Sequence, residues 1–506
     1  MSPLAHKPMS LLIDRETCGY CGACVSVCPN NAIELVDAYV RSDQSLCTGC
    51  LACVKVCPLG AITLDTEYRS SRLQPALPSN GGPTSVGNQK SKIENQKSVD
   101  VLVIGGGPAG SIAARTAAQQ NVDVLMIEKR QEIGSPVRCA EGVSKRALAE
   151  LTELNSKWIS AEINGGRIHS PDGGFVTIDE PGAGLVLERK IFDRELAAQA
   201  ARSGAEVWVK ARAIDLIREN GSITGAVIRR PDEDYIVRAK VVIAADGVES
   251  QVGKWAGIDT TCKAHDVDTC AQYLMTGLTD IDLSYCDFYL GHRMAPRGYA
   301  WIFPKGNDSA NVGVGIGGNI GSETAIGYLN RFVEKEIHGD VGERAREPGS
   351  EGASTRPLVP SVLSLVVGCV PVTGTLSDLV RDGFMIVGDA ARQNDPVSGG
   401  GIINSMIAGQ IAGEVAGQAI RDGDVSHVAL AEYEKRWHRQ VGRTFPHLRR
   451  LREGILKFSD ETLNDIAKVL SQVRKLTLID IFWTALKNDP KLLLELRHLI
   501  AIGWAQ

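Results

Sequence analysis

Two dense runs of cysteine are the residues most able to do chemistry. The spacing C-x2-C-x2-C-x3-C-P occurs at Cys18, Cys21, Cys24, Cys28 and Pro29, and again at Cys47, Cys50, Cys53, Cys57 and Pro58. Each cysteine of the first run is matched 29 residues later. The N-terminal residues show no charged stretch followed by an apolar core, so export is not expected, and clustered thiols then read as metal ligands rather than disulfides. Three closely spaced thiolates can take three corners of an iron–sulfur cubane, while the fourth reaches the other cluster. The spacing predicts one [4Fe–4S] centre on Cys18, Cys21, Cys24 and Cys57, and a second on Cys47, Cys50, Cys53 and Cys28. Zinc also accepts four thiolates, but the duplication and both trailing prolines favour iron and one-electron chemistry.

A phosphate-binding turn follows. Gly105, Gly107 and Gly110 form G-x-G-x-x-G, with Ala109 inside it, between the apolar run "VDVLVI" and a small-residue helix. The first glycine permits a tight turn, the second lets backbone approach a pyrophosphate, and the third lets helix pack on strand. The helix N-terminus then faces the phosphates. Glu128 and Lys129 close the next apolar run, where the acid can accept hydrogen bonds from a ribose. A dinucleotide is expected here.

Further on lie Asp246–Gly247, then Gly388–Asp389, Pro396 and Gly399, Gly400, Gly401 and Ile402. In this order they resemble the later fingerprints of the glutathione-reductase-like FAD fold, in its aromatic-hydroxylase branch. The resemblance implies FAD, with Asp389 on the ribityl chain and the triple glycine opening a helix near the flavin pyrimidine ring. It also implies a flavin contact from Arg189, in "LERKIFDRELAAQA". The cysteine-rich segment 10–66 resembles bacterial two-cluster ferredoxins.

Aromatic residues make up only 5% of the chain, yet Tyr299, Trp301 and Phe303 fall at alternate positions of "RGYAWIFPKG". On a strand they share one face, opposite Ala300 and Ile302. By itself that face would serve as a core layer. The pattern P-x-x-Y-x-W-x-F-P also resembles the substrate-side signature of geranylgeranyl reductases, and the resemblance spans about residues 99–425. It implies a long-chain isoprenoid held against the flavin and saturated by hydride and proton addition. "VRCAEGVS", with Arg138 and Cys139, resembles the cysteine loop of archaeal-type members that approaches the flavin ring. Ala140 and Glu141 replace the Cys-Gly-Gly version of plant and many bacterial members.

The elements that must position these groups divide the chain as follows. Residues 1–68 form a small ferredoxin-like iron–sulfur domain. Residues 69–98, rich in Ser, Gln, Asn, Pro and Gly, read as a flexible linker that would let this head move. Residues 99–425 form an FAD-binding domain with an inserted antiparallel-sheet substrate domain at about 262–375. Residues 426–506 read as helical, so the whole combines α/β and α+β architecture. The segment Lys435 to Lys457 interleaves basic and apolar residues in the manner of an interfacial helix, although Pro446 would kink it. A net charge of −5 gives no basic surplus for nucleic acid. The expected location is cytoplasmic, with peripheral contact on the inner face of the membrane. The external donor is expected to be a low-potential ferredoxin or similar carrier, with NAD(P)H the weaker candidate. A quinone-linked electron-transfer flavoprotein, an FAD monooxygenase and a non-catalytic electron-transfer module are the competing readings.

Overall fold

A computed structural model describes residues 10–36, 39–65, 93–279, 281–318, 323–338 and 360–471. The sequence duplication is also a structural one. Ala23–Ser26 and Ala52–Lys55 are matching short helices, each carrying the third cysteine of its run. Each is entered through a left-handed residue, Gly22 or Leu51. Two antiparallel pairs flank them: Ser10–Ile13 with Ile62–Asp65, and Ile33–Val36 with Tyr39–Ser42.

The second unit is a sheet whose central strands are parallel. Glu206–Trp208, Val124–Ile127, Asn95–Ile104, Asp234–Ala244 and Phe384–Ile386 lie side by side in that order. Their interior is almost wholly Val, Ile, Leu, Met and Ala, as a strand covered on both faces requires. The strand starting at Asn95 enters the stretch read as linker; residues 66–92 lie outside the described residues. Helix Pro108–Ala118 follows the glycine turn and packs on the long helix Ile402–Asp422. Gly409 makes that approach close: a Cβ there would lie 2.2 Å from the Ala109 carbonyl oxygen.

The third unit is a cap sheet of eight strands. Its order is Ser361–Pro371, Val267–Thr276, Ala310–Gly317, Tyr299–Pro304, Cys286–Tyr289, Ile159–His169, Phe175–Leu187 and Gly142–Ser144. All neighbours are antiparallel except Cys286–Tyr289 with Ile159–His169. Three strands thus come from residues 142–187, well before the expected insertion at 262–375. The cap is assembled from two separate segments joined at the parallel pair.

The head packs directly on the other units. Cys262 N–H donates to Ser26 O (2.9 Å), Ile326 N–H to Pro58 O (3.1 Å) and Lys254 Nζ to Val25 O (3.2 Å). Glu34 pairs with Arg212. Through these ties the head is seated on the other units in this structure.

The basic segment also differs from expectation. Pro446 sits in the first turn of helix Phe445–Ile455, where its missing N–H costs nothing, so the segment is two helices rather than one. Trp437, Phe445, Leu448 and Leu451 are buried in the core. Arg452 is buried too, paired with Asp268 at 2.8 Å. It also donates to the carbonyls of Arg297 (2.9 Å) and Pro396 (3.2 Å). It is a structural tie, not part of a solvent-facing basic surface.

Candidate active site

One cavity of about 980 Å³ runs between the parallel sheet and the cap. Gly105, Gly107, Ala109, Glu128, Lys129, Arg138, Cys139, Arg189, Asp246, Gly247, Asp389, Gly399, Gly400, Gly401, Ile402, Tyr299, Trp301 and Phe303 all line it. Gly110, Gly388 and Pro396 are not among its lining residues. A Cβ on Gly110 would lie 1.9 Å from the Gly105 carbonyl oxygen, which is why helix and turn can close together.

The residues fit a dinucleotide. A Cβ at Gly107 would meet nothing within 4 Å, so this backbone borders open space. Glu128 is held by Gly106 N–H (3.0 Å) and Arg130 N–H (2.9 Å), which fixes its carboxylate beside the turn. Asp246 Oδ1 is buried without a hydrogen-bond partner, an acceptor left for a ligand. Burial pushes the Asp246 carboxyl up to about 6. Burial likewise raises Asp389, against the hydrogen bond from Asn394. Gly401 caps the N-terminus of helix Ile402–Asp422 at the cavity, where the helix dipole favours negative charge. Arg189 forms a two-pronged pair with Asp193 at 2.7 and 2.8 Å. Burial opposes its charge, and the Asp193 carboxylate more than restores it. Lys129 is engaged by Glu249 at 2.6 Å, and Arg138 donates to the head carbonyls of Tyr20 and Cys21.

The aromatic strand presents the face expected of it. Tyr299, Trp301 and Phe303 pack with Phe288, at ring separations of 5.2 to 6.4 Å, whereas Ala300 and Ile302 join a different core. The wall is tied to both flavin-side loops by polar residues that sequence reading did not single out. Trp301 Nε1 donates to Gln272 Oε1 (2.9 Å), and Gln272 Nε2 donates to the Cys139 carbonyl (3.2 Å). Tyr299 O–H donates to Ser398 O (2.6 Å). Asn311 donates to Ala140 O (3.1 Å) and to Glu141 (2.8 Å), and buried Lys305 pairs with Glu141 at 2.7 Å. The available signal was a lone amide or lysine among apolar strand residues, as in "ANVGVGIG" and "FPKG". Cys139 sits at the centre of these ties, and burial raises its thiol above its ordinary pKa.

The cysteines gather as two crossed sets. Cys57 lies in the electrostatic neighbourhood of Cys18, Cys21 and Cys24. Cys53 is grouped with Cys28, Cys47 and Cys50, and these four line one small cavity of their own. Burial pushes Cys21 and Cys53 up to about 11, and a cation bound among them would favour their ionised form. The donor sets fit two iron–sulfur centres.

Comparison with known proteins finds three family profiles along the chain. A 4Fe-4S dicluster domain profile matches residues 11–64, an FAD-binding domain profile 98–285, and a geranylgeranyl reductase catalytic domain profile 266–345. The digeranylgeranylglycerophospholipid reductase of Methanosarcina acetivorans is 49% identical over 410 residues, covering 79% of this chain and 96% of that protein. The chain belongs to the geranylgeranyl reductase family. Another reductase of that name, from Methanothrix thermoacetophila, is 46% identical over 79% of this chain and 99% of its own length. Among solved structures, a geranylgeranyl bacteriochlorophyll reductase-like protein from Thermoplasma acidophilum superposes with a TM-score of 0.72. It is 38% identical and covers 80% of this chain and 100% of its own. A triple mutant of the flavin-dependent brominase Bmp2, at 18% identity and TM-score 0.57 over 78% of this chain and 100% of its own, shares the fold alone.

Proposed function

We propose that this chain is an FAD-dependent reductase that saturates the double bonds of geranylgeranyl chains on a lipid precursor. Electrons reach it from an external low-potential donor through the head. The observation that carries this reading is a single cavity with a dinucleotide turn on one side and an aromatic wall on the other. Cys18, Cys21, Cys24 and Cys57 would hold one [4Fe–4S] cluster, and Cys28, Cys47, Cys50 and Cys53 the other; bound there, they supply one-electron chemistry. FAD, when bound, supplies hydride to an alkene carbon.

This chain's own residues do the rest. Tyr299, Trp301, Phe303 and Phe288 offer flat apolar area to an isoprenoid and keep water away from the reacting carbons. The N-terminus of helix Ile402–Asp422, capped by Gly401 at the cavity, would favour negative charge on a group bound beside it. Cys139, kept neutral by burial, stands as the proton donor for the second alkene carbon. Anaerobic incubation of the reduced holoenzyme with digeranylgeranylglycerophospholipid should add about two mass units per double bond, read by mass spectrometry. Oxygen uptake coupled to product, or an unchanged lipid mass with quinone reduced instead, would overturn the reading. Trp301→Ala should lower turnover on long prenyl chains by about tenfold with FAD retained; equal loss of FAD would make the wall a mere core layer.

No helix among the described residues is long and apolar enough to cross a membrane. We infer that the lipid is taken from a bilayer surface. Strand Ser361–Pro371, at the edge of the cap sheet, supports such contact. It exposes Val362, Leu363 (61%) and Leu365, then lines the cavity with Val366, Gly368 and Val370. Leu363→Glu with Leu365→Glu should abolish flotation with liposomes while leaving activity on detergent-dispersed lipid; unchanged flotation would remove this surface from consideration.

A further inference from the structure

The duplication in the head is imperfect, and its departures lie where the two halves meet different surroundings. Gly19, Gly22 and Ser26 of the first half correspond to Thr48, Leu51 and Lys55 of the second. Gly19 faces the cap: a Cβ there would lie 2.3 Å from Val367. Gly22 faces the flavin domain, where a Cβ would lie 2.7 Å from Glu249 Cγ, and Glu249 in turn holds Lys129 of the cavity. Ser26 is fully buried and accepts, through its carbonyl, the Cys262 N–H. Thr48, Leu51 and Lys55 are all exposed. The backbone itself does not demand glycine at the matched position, since Leu51 holds the same left-handed conformation at φ 62°. Contact is therefore what selects glycine at 22, and solvent is what permits leucine at 51.

The cysteines follow the same division. Cys21 lines the flavin cavity, and Arg138, another lining residue, donates to the Cys21 and Tyr20 carbonyls. Cys50 is exposed, and the pocket of its set is rimmed by Leu46 and Leu51, each 36% exposed.

We propose that the two cysteine sets act in a fixed order, with Cys28, Cys47, Cys50 and Cys53 as the entry site for a small one-electron carrier protein and Cys18, Cys21, Cys24 and Cys57 as the flavin-side site. The carrier docks on the apolar rim of Leu46 and Leu51. Each reduced carrier loses one electron there. Two such transfers, with two protons from water, convert FAD to its reduced form, which the alkene reduction then consumes. This order rests on the ligand reading above, and iron and FAD content test that reading separately.

The experiment uses the full-length, anaerobically reconstituted protein, with chemically reduced bacterial two-cluster ferredoxin as the probe and flavin absorbance as the signal. Leu46→Asp with Leu51→Asp should slow flavin bleaching by ferredoxin at least tenfold, while bleaching by dithionite and the iron and FAD contents stay unchanged. Gly22→Leu, which installs the residue tolerated at the matched position, should keep its iron and let ferredoxin reduce the iron–sulfur centres at the parent rate. Its flavin should bleach at least tenfold more slowly. Parent-rate flavin bleaching by ferredoxin in either variant overturns the order. A parent chain that binds no iron refutes the ligand reading instead.

Discussion

The flavin side of the cavity is made by backbone, and the cap side by side chains. On the flavin side the decisive atoms are those that are missing: the Cβ of Gly107 that would intrude on open space, and that of Gly110 that would strike the Gly105 carbonyl. On the cap side the decisive atoms are present, in Tyr299, Trp301 and Phe303 and in the amides and lysine that anchor the strands to the cysteine loop. A surface built by omission tolerates no addition. A surface built by side chains tolerates exchange of its rings but not of its anchors.

The largest test of that contrast is Gly110→Ala. A methyl 1.9 Å from a backbone oxygen has no flexible neighbour to yield, so the expected cost exceeds about 4 kcal/mol. Soluble yield and FAD content should both collapse; retention of FAD would show that the turn is far softer than its packing implies. Next comes Lys305→Met, which leaves the Glu141 carboxylate buried beside Asn311 and without its ammonium partner. Removing one member of a buried pair costs about 3–5 kcal/mol. Thermal unfolding of the cofactor-free chain should fall accordingly, and Lys305→Met with Glu141→Gln should recover most of the loss. The smallest effect belongs to Asp246→Asn. With its folded pKa pushed up to about 6, above the roughly 3.9 of a free aspartate, the folded chain binds the extra proton. The cofactor-free protein therefore loses stability as pH rises from about 4 to 6, of the order of 2 kcal/mol. Asp246→Asn should flatten that slope in denaturant titrations; an unaltered slope would place the titrating group elsewhere.

The same contrast explains what could be read before the structure was seen. The glycine turn, the Gly388–Asp389 motif and the duplicated cysteines are short-range patterns, fixed by what backbone and ligand geometry allow within a dozen residues. The aromatic wall was legible because a strand repeats every second residue. Gln272, Asn311, Lys305 and Arg452 were not, because each is a single polar residue whose partner lies far away in sequence, as with Arg452 and Asp268. The early strands of the cap were hidden for another reason. Ile159–His169 pairs with Phe175–Leu187 through register shifts near Gly165, and the glycines and proline there break the alternation that marks a strand.

Glu34 and Leu35 of the head help line the flavin cavity, and Glu34 is latched there by Arg212. A wall contributed by the head couples the seating of the head to the binding of the dinucleotide. Once seated, each favours retention of the other by mass action. Loss of the iron–sulfur centres would, to the extent that it unseats Glu34 and Leu35, also weaken the hold on the flavin, so that damage to the electron entry is felt at the catalytic site.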